Sequence, residues 1–142
     1  MLYAENKRNN LLKEGFSLIE IMIVLLIGAI VVGGAFAGFR YLQNARVQST
    51  KSKLAALDTA IEHYNASIGE YPQTLEELVE GPQKPNLRRK WAGELASQND
   101  LKDAWGKEFH YNLNSKGSNV PYELYAMHPD GKTQIFSPIS QG

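Results

Sequence analysis

The chain of 142 residues contains no cysteine, and its positive and negative charges balance. Without cysteine it can form no disulfide and no thiolate metal site, and this absence does not indicate a compartment. A formal net charge of zero is not the basic balance typical of nucleic-acid-binding proteins, so we expect no nucleic-acid partner. The sequence also has no HExxH helix, no glycine-rich phosphate loop and no nucleophile–base–orienter set, so we expect neither an enzyme nor a cofactor-binding protein.

The three histidines do not form a metal-binding pattern. His63, His110 and His128 lie far apart in the sequence, without an i, i+4 pair and without cysteine. We therefore expect surface or strand positions for them, and we assign no catalytic, cofactor-binding or metal-binding residue.

Charge is also missing from one long stretch. Ile21 to Phe39 is 19 residues without a charge, and Glu20 stands directly before it. As an α-helix this stretch would be about 29 Å long, close to the ~30 Å thickness of a hydrocarbon core. A secretory signal cleaved at Ala35-Phe36-Ala37 fits poorly, because its apolar region should be shorter and uncharged. A plain membrane anchor leaves Glu20 unexplained, because a carboxylate there costs a few kcal/mol. A prepilin-type signal, cut before Phe16, is the third possibility.

The residues around that cut carry a specific pattern. A charged leader ends in Gly15, and then come Phe16, Ser-Leu-Ile-Glu and the apolar run. This order resembles the processing site of the type IV prepilin and type II secretion pseudopilin superfamily. The resemblance implies a leader of residues 1–15, cleavage between Gly15 and Phe16 by a prepilin peptidase, and methylation of the Phe16 amine. It also implies that Glu20 pairs with the Phe16 amine of a neighbouring copy in a filament, where an unpaired buried charge would be costly.

The helical pattern continues beyond the apolar run. No proline occurs between Phe16 and Ile68. An apolar stripe at helical spacing follows Arg40: Val47, Leu54, Leu57, Ile61, Tyr64 and Ile68. We expect one helix of about 50 residues, with a membrane or filament-core half at 16–39 and an amphipathic half at 40–69. Any kink or unwound stretch is expected at Gly33, Gly34 and Ala37.

Residues 70–142 predict a small head domain. Thr74 and Glu77 fit a capping box for a short helix that Gly81-Pro82 ends. Residues 83–100 read as a polar loop in which Arg88-Arg89-Lys90 are solvated charges. Trp105 is expected to be a buried ring, followed by Gly106 for close backbone approach.

Three strands are predicted after this loop, separated by turn residues. They are Lys107–Leu113, Tyr122–Met127 and Thr133–Ser137. We therefore expect an α+β, pilin-like fold with a long N-terminal helix packed on a three-stranded antiparallel sheet.

Several head segments resemble the major pseudopilin family of type II secretion. These are Tyr71-Pro72 with LEEL, LKDAWGKEFHY, and YELYAMHPDG. The resemblance implies a filament-forming subunit that polymerises with itself and meets minor pseudopilins, prepilin peptidase and an inner-membrane secretion platform. It implies a single span of the bacterial inner membrane and a head in the periplasm. A type IV pilin, a competence pseudopilin and a membrane-tethered periplasmic binding module remain open.

The same resemblance implies Ca²⁺ near the PDG turn, held by acidic residues. Asp130 matches, but KTQIFSPISQG follows without an acid. Since Ca²⁺ takes six to eight oxygen ligands, we expect no standard Ca²⁺ site and read Asp130 as a turn former.

Overall fold

The computed structural model describes residues 15–142. Within them the elements are α1 (Leu18–Ile68), α2 (Glu77–Glu80), α3 (Pro85–Arg88), a 3-10 turn at Gln98–Leu101, β1 (His110–Leu113), β2 (Tyr122–Met127), β3 (Gln134–Phe136) and a 3-10 turn at Ile139–Gln141. The chain divides into two compact units, and we call residues 15–41 the stem and Leu42–Gly142 the head. The leader predicted at residues 1–15 lies outside the described residues except for Gly15.

Helix α1 confirms the predicted long helix, with its end at Ile68 beside Gly69. It continues without a break through Gly33, Gly34 and Ala37, so the helix is not unwound there. The physical reason is that each glycine costs a helix only about 1 kcal/mol. The long apolar sequences on both sides propagate the helix across it.

The core of the head forms where the amphipathic part of α1 meets the sheet. The predicted stripe is buried except for Val47, which is half-buried. Its residues share one core with the inward side chains of β2: Leu54, Leu57, Ile61, Tyr64 and Ile68 from α1, and Tyr122, Leu124 and Ala126 from β2. The α+β fold with a helix packed on a sheet is therefore confirmed.

The sheet has the order β1-β2-β3, with both pairs antiparallel. The central strand is β2, whose alternate residues Tyr122, Leu124 and Ala126 are fully buried. The predicted first strand was too long at its start. Phe109 donates its N–H to the Leu101 carbonyl at 3.2 Å, so the residues before His110 pair with 101–103 and not with β2.

The short helix α2 forms, but the predicted capping box does not. Its cap position is Glu76, and no side chain caps it. Glu77 turns away from Thr74 and accepts a hydrogen bond from the Gln73 N–H at 2.9 Å. The prediction failed because Glu77 is buried in the head, where it has other donors. Gly81, with φ of +88°, ends the helix as predicted.

The segment from 83 to 106 is mostly irregular. Arg88, Arg89 and Lys90 are exposed, as predicted for solvated charges. Trp105 is only half-buried and lies edge-on to His128, with ring centroids 5.4 Å apart. A Cβ at Gly106 would have no atom within 4 Å, so the predicted close approach was wrong. Gly106 is suited to its position because its φ of +80° is unfavourable for other residues.

Candidate functional site

The first candidate site is the beginning of the stem helix. Gly15 and Phe16 precede the helix and are exposed. The Ser17 hydroxyl accepts a hydrogen bond from the Glu20 N–H at 3.3 Å, which caps the first turn. The spacing Ser-x-x-Glu is itself a helix-start signal that our sequence reasoning did not use. Phe16 and Glu20 both line a surface depression of about 210 Å³ with Ile21, Val24 and Leu25. The structure therefore places Phe16 and the Glu20 carboxylate of one chain at the same end of one helix, and the predicted pairing between copies stays a prediction.

The surface of the stem is unlike that of a water-soluble helix. Its large apolar side chains between Phe16 and Leu42 are all between 46% and 78% exposed. A contiguous apolar surface of this extent marks a membrane or protein interaction site. The helix is also long and apolar enough to cross a membrane. Glu20 is thus the acidic residue of a surface that must be covered by lipid or by other helices.

In the head, sequence reasoning missed three buried carboxylates, Asp58, Glu77 and Asp103. Asp58 lies on α1 beside the apolar stripe and is 4% exposed. Its Oδ1 accepts a hydrogen bond from the Tyr122 hydroxyl at 2.8 Å, and its Oδ2 accepts one from the Ile139 N–H at 2.9 Å. One side chain therefore joins α1, the central strand and the C-terminal 3-10 turn. The only sequence signal was its position directly after Leu57, at the edge of the stripe.

The second buried carboxylate is Glu77, which is 5% exposed. It accepts hydrogen bonds from the Tyr64 hydroxyl and from the Gln73 N–H, each at 2.9 Å. These bonds fasten the segment after α1 to the helix. Burial, followed by the bond to Glu77, raises the pKa of Tyr64 above its usual value of 10.

Two further tyrosines hold their protons for the same reason. Burial, with the Asp58 carboxylate as the next cause, raises the pKa of Tyr122. Burial also raises the pKa of Tyr111, whose hydroxyl donates to the Pro72 carbonyl at 2.7 Å. Each neutral hydroxyl is thus kept as a donor inside the head.

The turn between β2 and β3 is organised around Asp130. Its Oδ1 accepts hydrogen bonds from the N–H groups of Lys132 and Thr133, each at 2.8 Å. Its Oδ2 accepts one from the Thr133 hydroxyl at 2.7 Å. The N–H groups of Thr133 and Lys132, and then this hydroxyl, hold the pKa of Asp130 well below its ordinary value of 3.8. The reading of Asp130 as a turn former is confirmed.

His128 supports this turn from the strand side. Its Nδ1 lies 3.2 Å from the Asp130 N–H nitrogen and 3.3 Å from the Asp130 Oδ2. These two contacts need opposite protonation states of Nδ1. Without a proton Nδ1 accepts from the N–H, and with one it donates to the carboxylate, so His128 can contact the turn with either tautomer of its ring.

The residues of this turn do not fit Ca²⁺. Both oxygens of Asp130 already accept hydrogen bonds. Lys132, two residues further on, is a cation and not an oxygen ligand. Elsewhere in residues 15–142, no three His, Asp or Glu residues cluster as a metal site. His63 is exposed, and His110 stacks on Tyr125 at 4.8 Å.

The chain is similar to known proteins over most of its length. The family described as type II secretion system protein G matches residues 38–135, and the prokaryotic N-terminal methylation motif matches residues 12–36. Type II secretion system core protein G of Escherichia coli K12 is 32% identical over 127 residues, and the match covers 84% of each chain. The core proteins G of Xanthomonas campestris and Pseudomonas aeruginosa are 29% and 30% identical, cover 84% of this chain, and are themselves covered to 81% and 86%. No solved structure gives a significant match.

Proposed function

The chain belongs to the type II secretion system protein G family and is thus a structural pseudopilin subunit of that system. From this we propose the following function for its assembled copies. They polymerise helically into a short periplasmic filament that pushes folded proteins through an outer-membrane channel. A separate cytoplasmic ATPase supplies the energy. In this proposal the chain itself has no catalytic role and uses no cofactor.

The observation that carries the proposal is the exposed apolar stem with Glu20 near its start. Before assembly, residues 16–39 span the bacterial inner membrane once. The amphipathic half of the helix at 40–69 and residues 70–142 lie on the periplasmic side. In the filament the same apolar surface is covered by the stems of other copies, and its 46–78% exposure in the single chain supports this. One surface therefore serves two environments in turn.

Processing prepares the stem for this exchange. Prepilin peptidase cuts between Gly15 and Phe16 on the cytoplasmic side, and the new Phe16 amine is methylated. The cut removes a charged leader and creates a cation near Glu20. Among packed stems, Glu20 pairs with the Phe16 amine of a neighbour. A subunit out of register leaves a buried charge alone, which costs about 3–5 kcal/mol. Glu20 thus selects the register of assembly.

The partners follow from this sequence of events. The peptidase meets residues around Gly15, the inner-membrane secretion platform receives the processed subunit, and minor pseudopilins join the same filament. The match of residues 12–36 to the methylation motif supports the first of these contacts.

Two substitutions test the proposal separately. Gly15→Ala should block cleavage, so the protein stays inserted in the membrane with its leader and forms no filament. Glu20→Gln should be cleaved and methylated normally but should not assemble. Glu5→Gln is the matched control, because Glu5 leaves with the leader and its loss should change nothing. Mass spectrometry reads the N-terminus, and crosslinking in cells followed by electrophoresis reads the multimers.

The results that would contradict the proposal are specific. A native chain that retains residues 1–15 would refute the processing step. Multimers of Glu20→Gln at the level of Glu5→Gln would refute the pairing of Glu20 with Phe16.

A further inference from the structure

We infer that the β2–β3 turn is closed by hydrogen bonds from Lys132 and Thr133 to Asp130, in place of Ca²⁺, and that the head folds without a divalent cation. This turn lock is a property of the head and does not depend on the proposed assembly. It disagrees with the Ca²⁺ site that the resemblance of the PDG turn to pseudopilins implies.

The acceptor capacity of Asp130 is the first argument. A carboxylate offers about four lone-pair sites. Three are filled by the N–H groups of Lys132 and Thr133 and by the Thr133 hydroxyl, at 2.7–2.8 Å. A Ca²⁺ ion bound by both oxygens of this carboxylate would have to displace at least one of these donors, and the neighbouring Lys132 adds a positive charge to the turn.

The length of the turn is the second argument. Strand β2 ends at Met127 and β3 begins at Gln134, so only six residues connect them. His128 and Thr133 close the turn, with the His128 N–H donating to the Thr133 carbonyl at 2.8 Å. The His128 carbonyl in turn accepts from the Gly131 N–H at 2.9 Å. The turn therefore supplies one carboxylate, whereas Ca²⁺ takes six to eight oxygens.

The segment after β3 is fastened by protein groups as well. The Ser140 hydroxyl donates to the Tyr122 carbonyl at 3.1 Å and accepts from the Leu124 N–H at 2.8 Å. It thus pairs with the edge of β2 in the place of a strand. Asp58 holds the Ile139 N–H at 2.9 Å. Both the turn and the C-terminal segment are therefore held by hydrogen bonds from protein groups.

The first experiment asks whether Ca²⁺ binds at all. The full-length protein in detergent is melted in millimolar CaCl₂ and in EDTA, and Tb³⁺ is used as a luminescent probe. The Trp105 ring contacts His128, so it would sensitise Tb³⁺ held in the turn. We expect the same Tm in both solutions. We also expect the Tb³⁺ luminescence of the unsubstituted protein to be no stronger than that of Asp130→Ala. Luminescence that survives Asp130→Ala comes from ions elsewhere and agrees with the inference if the Tm is unchanged.

The second experiment tests the lock itself. Thr133→Val removes one hydroxyl donor at nearly constant shape, and it should lower the Tm by roughly 2–6 °C, equally in CaCl₂ and in EDTA. Thr133→Ser keeps the hydroxyl and should restore most of the loss. Thr74→Val is the matched control, because Thr74 is exposed and its hydroxyl has no partner within residues 15–142. Its Tm should stay unchanged.

Three results would overturn the inference. One is a Tm that rises in CaCl₂, whichever residue binds the ion. Another is Tb³⁺ luminescence that Asp130→Ala abolishes. The third is a Thr133→Val protein as stable as Thr74→Val.

Discussion

The substitution Tyr122→Phe tests how the head is fastened to its helix. Tyr122 lies on the central strand, is fully buried, and donates its hydroxyl to Asp58 at 2.8 Å. Phenylalanine keeps the ring and removes only this donor. Asp58 would then retain one protein donor in the described structure, the Ile139 N–H at 2.9 Å. The result is a buried carboxylate with one oxygen unpaired.

The size of the effect follows from the charge on the acceptor. A hydrogen bond to a charged group contributes about 1.5–3 kcal/mol, and the unpaired oxygen adds a desolvation cost within that range. For a domain the size of the head, each kcal/mol shifts the Tm by about 4 °C. We therefore expect Tyr122→Phe to lower the Tm by roughly 6–12 °C.

The assay is thermal unfolding of the full-length protein in detergent at neutral pH, followed by tryptophan fluorescence. Tyr125→Phe is the matched control, since Tyr125 lies on the same strand with its ring half-buried, and its hydroxyl has no partner in the described part of the chain. Tyr125→Phe should change the Tm by less than about 2 °C. If the two variants melt together, the Asp58–Tyr122 bond does not fasten the head and the reasoning is refuted.

Three further predictions concern other contacts of the head. Above pH 10, the free energy of unfolding should fall by up to about 1.4 kcal/mol per pH unit for Tyr122 alone. The reason is that the raised pKa keeps Tyr122 neutral in the folded state, while the same side chain ionises in the unfolded chain. Urea unfolding from pH 8 to 11 measures this fall, and an equally steep fall in Tyr122→Phe would contradict the prediction. Gly106→Ala should cost about 1 kcal/mol because φ is +80° there, and the neighbouring space is open, so a loss above 3 kcal/mol in urea unfolding would point to a clash instead. Lys53→Met should lower stability by about 0.5–1.5 kcal/mol, because the Lys53 ammonium donates to the Lys102 carbonyl at 2.9 Å; faster proteolysis of the 98–101 turn than in Lys51→Met, an exposed neighbour, is the second readout.

Local periodicity was enough to predict most of the fold. The stripe from Leu54 to Ile68 repeats at helical spacing, and the structure buries it as predicted. The alternation in Tyr122–Met127 likewise identified the central strand. Such patterns can be predicted from the sequence because the backbone geometry of a helix or a strand fixes which residues share one face.

Some residues of the candidate sites could also be predicted from the sequence, and others could not. Gly15, Phe16 and Glu20 were predicted as site residues from their order in the sequence, because the prepilin-type motif is a continuous segment. Asp130 was also readable, because a carboxylate two residues before its donors forms a local turn. The errors at Thr74 and Gly106 came from assigning familiar local roles to residues whose surroundings were unknown.

The sequence by itself determined the long helix, its apolar stem with one acid, the three strands and the family. Only the tertiary structure decided that Asp58 and Glu77 are buried acceptors. The physical reason is distance along the chain. Asp58 meets donors from residues 122 and 139, and no periodicity links positions so far apart. Their hydrogen bonds exist only after the helix, the sheet and the C-terminal turn have packed together.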